Sequence, residues 1–327
     1  MTATATAPGS VPVVRSTRRP WTALPAALRS AVEARLGSPV AAARSQSGGF
    51  SRGAASRLRC ADGGRAFVKA VSLDGDPVSA RLYEQEAAVA AALPGGLPVP
   101  AFRGLITEGG WTALLFDDVP GRTPSVPWRA ADLDAVLPAL TRLTAVAADR
   151  PAPGLSRWGG ALADWVGWNH LLARGDALAD VPSWARPHAE RLAALEAGFP
   201  EAAYGDAVLH SDLRSDNILV RRGSVTFVDW AWAARGQDWI DPMIFALCAA
   251  VQGVADPDAL FLRHPAARRA DPEAVDALLA ALAGRFTTAA RQPTDWGTAP
   301  IRAFQRAEAA TALHWLGRRR TWYPGAR

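Results

Sequence analysis

Leu24, Leu28, Val32 and Leu36 stand four residues apart, the spacing of one apolar helix face, and Gly37 stops the run. Downstream the pattern shortens to apolar runs punctuated by glycine, which predicts strands. Three are expected between Val40 and Ser72: one entering Ser47-Gly48-Gly49-Phe50-Ser51-Arg52-Gly53, one through Ser56 to Cys60, and one through Ala66 to Val71. Asp62-Gly63-Gly64 supplies the hairpin turn between the last two. Pro77 opens a helix carried by Leu82, Glu86, Val89 and Leu93, and Pro94-Gly95-Gly96 closes it. Two more strands, Phe102 to Thr107 and Trp111 to Asp117, flank Glu108-Gly109-Gly110.

Beyond Pro127 the helical period dominates, with segments expected from Ala131 to Ala148, Leu162 to Ala173, Trp184 to Ala197, Pro272 to Phe286 and Ile301 to Leu316. One hairpin interrupts them: Ile218 to Val220 and Val225 to Val228 flank the turn 221–224. No internal repeat is found. The expected fold class is α+β in two lobes, an antiparallel sheet with one main helix followed by a mainly helical lobe. The expected division is a loose tail over 1–20, a first lobe over 21–118 and a second over 119–327.

The 327 residues suffice for two lobes around a shared cleft. Cys60 and Cys248 have no metal-binding or CxxC spacing, and no stretch reads as a leader or a membrane span, so a cytoplasmic protein with no membrane partner is expected. The net charge of +5 is unevenly spread. Residues 1–116 carry 13 basic and 7 acidic groups, 117–297 carry 17 and 23, and 298–327 carry 6 and 1. A basic first lobe beside an acidic second one suits an anionic nucleotide meeting a neutral or cationic acceptor better than a nucleic-acid surface. Of the 36 basic side chains one alone is lysine, Lys69, which marks a place that needs a compact ammonium.

The strongest chemical signal is His210-Ser211-Asp212-Leu213-Arg214-Ser215-Asp216-Asn217, followed after the hairpin by Val228-Asp229-Trp230. A loop aspartate, an asparagine five residues on, and an aspartate ending the returning strand supply what metal-assisted phosphoryl transfer requires. Asp212 is the candidate base for an acceptor hydroxyl. Asn217 and Asp229 offer hard oxygens to Mg²⁺. No GxxxxGK[ST] sequence competes with this reading.

With Lys69 and a glycine-rich turn upstream, this motif resembles the aminoglycoside phosphotransferase and choline kinase group, small-molecule kinases of protein-kinase-like fold. The resemblance implies ATP, Mg²⁺ and a small-molecule hydroxyl acceptor. It implies that Lys69 holds the α- and β-phosphates and pairs with Glu86 rather than Glu84. It implies also that the turn at Gly48, Gly49 and Phe50, with Gly53, approaches the phosphates, and that Phe116, Asp117 and Val119 form the adenine hinge. Arg214 stands where the small-molecule kinases often have histidine, and is placed to neutralise the transferring phosphoryl group or to bond Asp216. Ser211 replaces the usual glycine. Asp241, ahead of Pro242, reads as an N-cap that braces the catalytic loop.

Only eleven residues separate Asp229 from Asp241 and no Ala-Pro-Glu follows, so a protein kinase is disfavoured; a nucleotide-binding pseudokinase is the other alternative. The segment 154–200, with Trp158, Trp165, Trp168 and Trp184, is the expected acceptor enclosure, although any one of these tryptophans is more simply helix-packing core. The acceptor class stays open between an antibiotic such as an aminoglycoside and an amino-alcohol or sugar metabolite, the basic end of the chain at Arg318, Arg319, Arg320 and Arg327 speaking against an aminoglycoside. A monomer or homodimer is expected.

Overall fold

The computed structural model describes residues 18–46, 48, 53–149, 152, 154–158, 167–175, 178–293 and 299–322. Residues 1–17 of the tail expected over 1–20, and Gly49, Phe50 and Trp165, lie outside them; of the rest of that tail, Arg19 N donates to Gly53 O at 3.3 Å.

The first lobe holds α1 (Ala26–Leu36), β1 (Val40–Ser45), β2 (Ala54–Cys60), β3 (Arg65–Ser72), α2 (Pro77–Ala92), β4 (Phe102–Glu108) and β5 (Trp111–Asp117). The strands form one antiparallel sheet in the order β1-β2-β3-β5-β4. Side chains alternate across it. Ala66, Val68 and Ala70 of β3, with Ala113 and Leu115 of β5, face Trp21, Leu28 and Val32 around α1. Val71, Leu114 and Phe116 face Ala80, Tyr83 and Ala87 of α2. Lys69 is in step with Val71, so alternation alone puts the lysine on the α2 face. Asp76 caps α2 by accepting from Ser79 N at 3.0 Å, with Pro77 at the first helical position.

The second lobe contains α3 (Ala130–Ala148), α4 (Trp168–Ala173), α5 (Ala189–Ala202), α6 (Ile240–Val251), α7 (Pro257–Leu262), α8 (Pro272–Ala290) and α9 (Ala299–Arg319). Two small antiparallel pairs lie among them, β6 (Ala207–Leu209) with β9 (Ala234–Gly236) and β7 (Ile218–Arg221) with β8 (Ser224–Phe227). The helices converge on one apolar core that includes Trp168, Phe227, Phe245 and Trp315. The chain between the lobes is tied to the hairpin, since Arg122 and Val220 exchange main-chain hydrogen bonds of 3.0 and 2.7 Å. Phe227 N also donates to Pro98 O at 2.9 Å.

Several expectations shift. The first strand ends at Ser45, before the glycines. The helix expected from Trp184 runs from Ala189 to Ala202, with a 3₁₀ turn over Arg186–His188 ahead of it. The pair β6 and β9, three residues each, is too short to show a period of two, and α7 is a single capped turn and a half. Trp158 and Trp168 are buried: Trp158 packs edge-on against Phe199, and Trp168 donates to Ala280 O at 2.8 Å. These two tryptophans are core.

Candidate active site

Strand β6 delivers the loop that starts at His210, and α6 fixes it. The Asp241 carboxylate accepts from His210 N at 2.7 Å and from Ser211 N at 2.9 Å. Asp241 is thus a brace, as expected, but not an N-cap, because the helix already begins at Ile240 and Trp239 occupies the cap. The buried His210 ring donates from Nε2 to Val228 O at 2.9 Å and accepts Asp212 N on Nδ1 at 3.2 Å. Burial lowers its pKa, and the neutral form has one donor and one acceptor nitrogen for these two partners. The imidazole therefore links the main chain before Asp229 to the main chain of Asp212. Ser211 adopts a left-handed φ of 67°, which explains why glycine suits this position.

Three of the predicted residues meet in the loop itself. Arg214 Nη1 donates to both oxygens of Asp212, at 2.7 and 2.8 Å, while its Nε reaches Asp216 at 3.0 Å. Asn217 Nδ2 donates to Asp212 O at 2.8 Å and to Asp212 Oδ2 at 2.9 Å. That leaves the Asn217 carbonyl oxygen for another partner. Burial pushes the Asp212 carboxyl up to about 6, against the pull of Arg214. Burial would weaken the charge on Arg214, but Asp212 and Asp216 more than offset it, so the guanidinium stays protonated.

The lobes are joined electrostatically at Lys69. Its Nζ lies 2.6 Å from Glu86 Oε2 of α2 and 2.9 Å from Asp229 Oδ1 at the end of the hairpin. Burial opposes the ammonium, yet Asp229 and Glu86 hold it charged. Burial raises the carboxyl of the more deeply buried Glu86, and Lys69 brings that of Asp229 below the ordinary range in spite of burial. Asp229 has a left-handed φ of 67°, which turns the chain sharply after the strand. Glu84 is exposed.

Gly48 lies over the loop 210–217: a Cβ built on it would sit 3.7 Å from Asp216 Cβ, and its carbonyl accepts from Arg18 at 2.6 Å. Gly53 has a packing reason to be glycine, since a Cβ there would be 2.1 Å from Ala70 O. At the interlobe link, Phe116 is buried against Phe102 with 5.3 Å between ring centroids. Asp117 pairs with Arg103 at 2.5 Å, and Asp118, which the sequence reading passed over, receives Arg57 at 2.5 Å and Arg65 at 2.6 Å. Arg57 also donates to Val119 O at 3.2 Å, so the link is latched to β2 and β3 by side chains. Val119 N–H has no protein partner among the described residues.

Sequence reasoning missed Glu308. This carboxylate on α9 is buried, is approached by the Cys248 thiol of α6 at 3.9 Å, and is pushed by burial up to about 8. One turn before it, Phe304 faces the Arg214 guanidinium at 5.9 Å. A signal existed: Glu308 is the single acid among residues 298–327. The basic end of the chain is also reinterpreted. Arg319 pairs with Asp258 at 2.8 Å and with Asp276 at 2.5 Å, and Arg318 lies 3.7 Å from Asp256, so these charges answer acids of α7, α8 and their caps. They carry no argument against a cationic acceptor.

A five-stranded antiparallel lobe with one bracing helix, a helical lobe, and a lysine, glutamate and aspartates gathered between them define a small-molecule kinase of protein-kinase-like fold. Residues 49–293 match the model of the phosphotransferase enzyme family, and the chain belongs to that family. It is a small-molecule phosphotransferase. Among solved structures, the macrolide 2'-phosphotransferase MphH from Brachybacterium faecium is 21% identical, with a TM-score of 0.52 over 86% of this chain and 95% of that one. The choline kinase LicA from Streptococcus pneumoniae is 11% identical, with a TM-score of 0.52 over 88% and 97%. A choline kinase from Cryptosporidium parvum is 9% identical, with a TM-score of 0.52 over 86% and 89%. At such identities the likeness establishes the fold. No curated protein matches the chain by sequence. Among the described residues no helix is long and apolar enough to cross a membrane.

Proposed function

We propose that the enzyme transfers the γ-phosphoryl group of ATP to a hydroxyl of a small molecule, with a nucleotide lobe over 21–118 and a catalytic and acceptor lobe over 119–327. The observation that supports this best is the Lys69 ammonium, held between Glu86 of the first lobe and Asp229 of the second at 2.6 and 2.9 Å. Such an ammonium is built to receive the α- and β-phosphates. Gly48 approaches those phosphates, and Gly49 and Phe50, which follow it in the sequence, are proposed to bind them too. Phe116, Asp117 and the Val119 N–H form the adenine edge.

Asp212 accepts the proton of the acceptor hydroxyl as that oxygen attacks the γ-phosphorus and the bond to ADP breaks. Its elevated pKa, about 6, keeps it ionised but basic enough near neutrality. Arg214 balances charge on the transferring group. The donor set fits magnesium: Asp229 is ionised and the Asn217 carbonyl oxygen is spare, two hard oxygens for an ion that takes its other ligands from phosphates and water. Bound there, Mg²⁺ would neutralise the phosphate charge.

The acceptor's class is left to experiment, with antibiotics, amino-alcohols and sugars as the candidates. The test is ATP consumption against a library of hydroxyl compounds, run in parallel with Asp212→Asn. We expect Mg²⁺-dependent turnover with at least one compound, a loss of about 10²-fold in the variant, and retained ATP binding. Absence of Mg²⁺-dependent ATP binding would remove the proposal. ATP binding without turnover on any acceptor would favour the pseudokinase.

A further inference from the structure

Both oxygens of Asp212 are engaged by Arg214 Nη1, and Oδ2 is shared with Asn217. A base held this way has to loosen one oxygen before it receives a hydroxyl proton. Arg214 is surrounded by more carboxylate than it touches. Asp216 holds its Nε, and Glu308 stands close enough beneath for Arg214 to act on its charge. The placement follows from the helix. Phe304 and Glu308 are four apart on α9 and so share a face. The Phe304 ring faces the guanidinium at 5.9 Å, so the face of α9 that carries Glu308 is turned toward the same loop, and Arg214 and Asp212 both act on the Glu308 charge. Among the described residues no basic nitrogen is within 4 Å of that carboxylate, and the Cys248 thiol is its single hydrogen-bond partner.

We infer that Glu308 is a positioning residue for the transfer step: its negative charge draws the Arg214 guanidinium toward α9, leaving one oxygen of Asp212 free for the acceptor hydroxyl. The inference rests on the phosphotransferase reading of Asp212. The charged and titratable groups facing Glu308 are Arg214 and Asp212 from the loop and Cys248 from α6. With Glu308 neutral the guanidinium remains on Asp212; with Glu308 ionised it is shared. Burial pushes the Glu308 carboxyl up to about 8, so the change falls in an accessible range, the ionised form gaining as pH rises. The Cys248 thiol is itself raised far above its ordinary value and does not titrate there.

Glu308→Gln keeps the size and hydrogen bonding of the side chain and removes the charge. We expect kcat at pH 9, where the wild-type carboxylate is ionised, to fall about tenfold with the KM for ATP unchanged, and to differ little at pH 7, since a displaced catalytic group costs rate rather than nucleotide binding. We expect the rise of wild-type kcat between pH 7 and 9 to vanish in the variant, and Glu308→Asp to restore part of it. A second readout needs no acceptor: the ¹⁵N side-chain resonance of Arg214, assigned by its loss in Arg214→Lys, should move between pH 7 and 9 in the wild type and stay still in Glu308→Gln. If the wild type turns over and that resonance does not move, the role of Glu308 is refuted while the activity stands. If the resonance moves but no acceptor is ever phosphorylated, the activity fails and the coupling of Glu308 to Arg214 survives. A Glu308→Gln enzyme with wild-type kcat and pH profile would also overturn the inference.

Discussion

Lys69 and Asp229 lie 160 positions apart in the chain and 2.9 Å apart in space, a direct ionic bond between the sheet of the first lobe and the segment that follows the hairpin of the second. The side chain that makes it is the chain's single lysine among 36 basic residues.

Replacing that lysine by arginine tests whether the compact ammonium matters. The guanidinium is wider and planar, and the gap is set by two carboxylates at 2.6 and 2.9 Å. Lys69→Arg is expected to lower kcat/KM for ATP by roughly tenfold or more while the protein remains folded. Steady-state kinetics with circular dichroism as the folding control decide it, and wild-type kinetics would contradict the fit.

Ser211 combines a left-handed backbone with a buried hydroxyl that has no hydrogen-bond partner among the described residues. Both features cost stability, and glycine would relieve both. Ser211→Gly is expected to stabilise the protein by about 1 kcal/mol, net of the extra chain entropy glycine carries when unfolded. Denaturant unfolding is the measurement, and a lowered midpoint would count against the strain argument.

Asp132 at the start of α3 accepts from Arg122 at 2.6 Å and from Ser125 N at 2.9 Å. The hydrogen bond from Arg122 is the main reason its pKa is lowered, and the Ser125 amide adds to it against burial. Because the folded value is below the unfolded one, its stabilisation is fully present above the unfolded value, near 3.8, and is lost as pH falls through the folded one. Melting temperature should therefore fall with acidification below about pH 4, and Asp132→Asn should flatten that part of the curve while lowering stability at neutral pH. An unchanged acid limb in the variant would show that other carboxylates set it.

Much of this was legible because the signals are local. Sheet and helix periods located β2 to β5, α2 and the long helices, since burial of one face imposes the period wherever an element is long enough to show it. The candidate site loop was legible because its members lie within eight residues and its hairpin partner returns directly to Asp229. The pair β6 and β9 was hidden, because three residues carry no usable period and their pairing partners are 25 to 29 positions apart. Asp118 looked like an ordinary turn acid until the sheet brought Arg57 and Arg65 to it.

Two residues mark the division. The amino-acid order alone determined that Lys69 shares one face of its strand with Val71, and that Asp212, Asn217 and Asp229 share one loop and hairpin; that this face meets α2 was decided by the fold. The amino-acid order could not determine that Glu308, ninety-six residues beyond Asp212, comes near enough to Arg214 to feel its charge. A helix period says which face is buried but not against what, and the charge a buried carboxylate meets is set by which elements the packed core brings beside it.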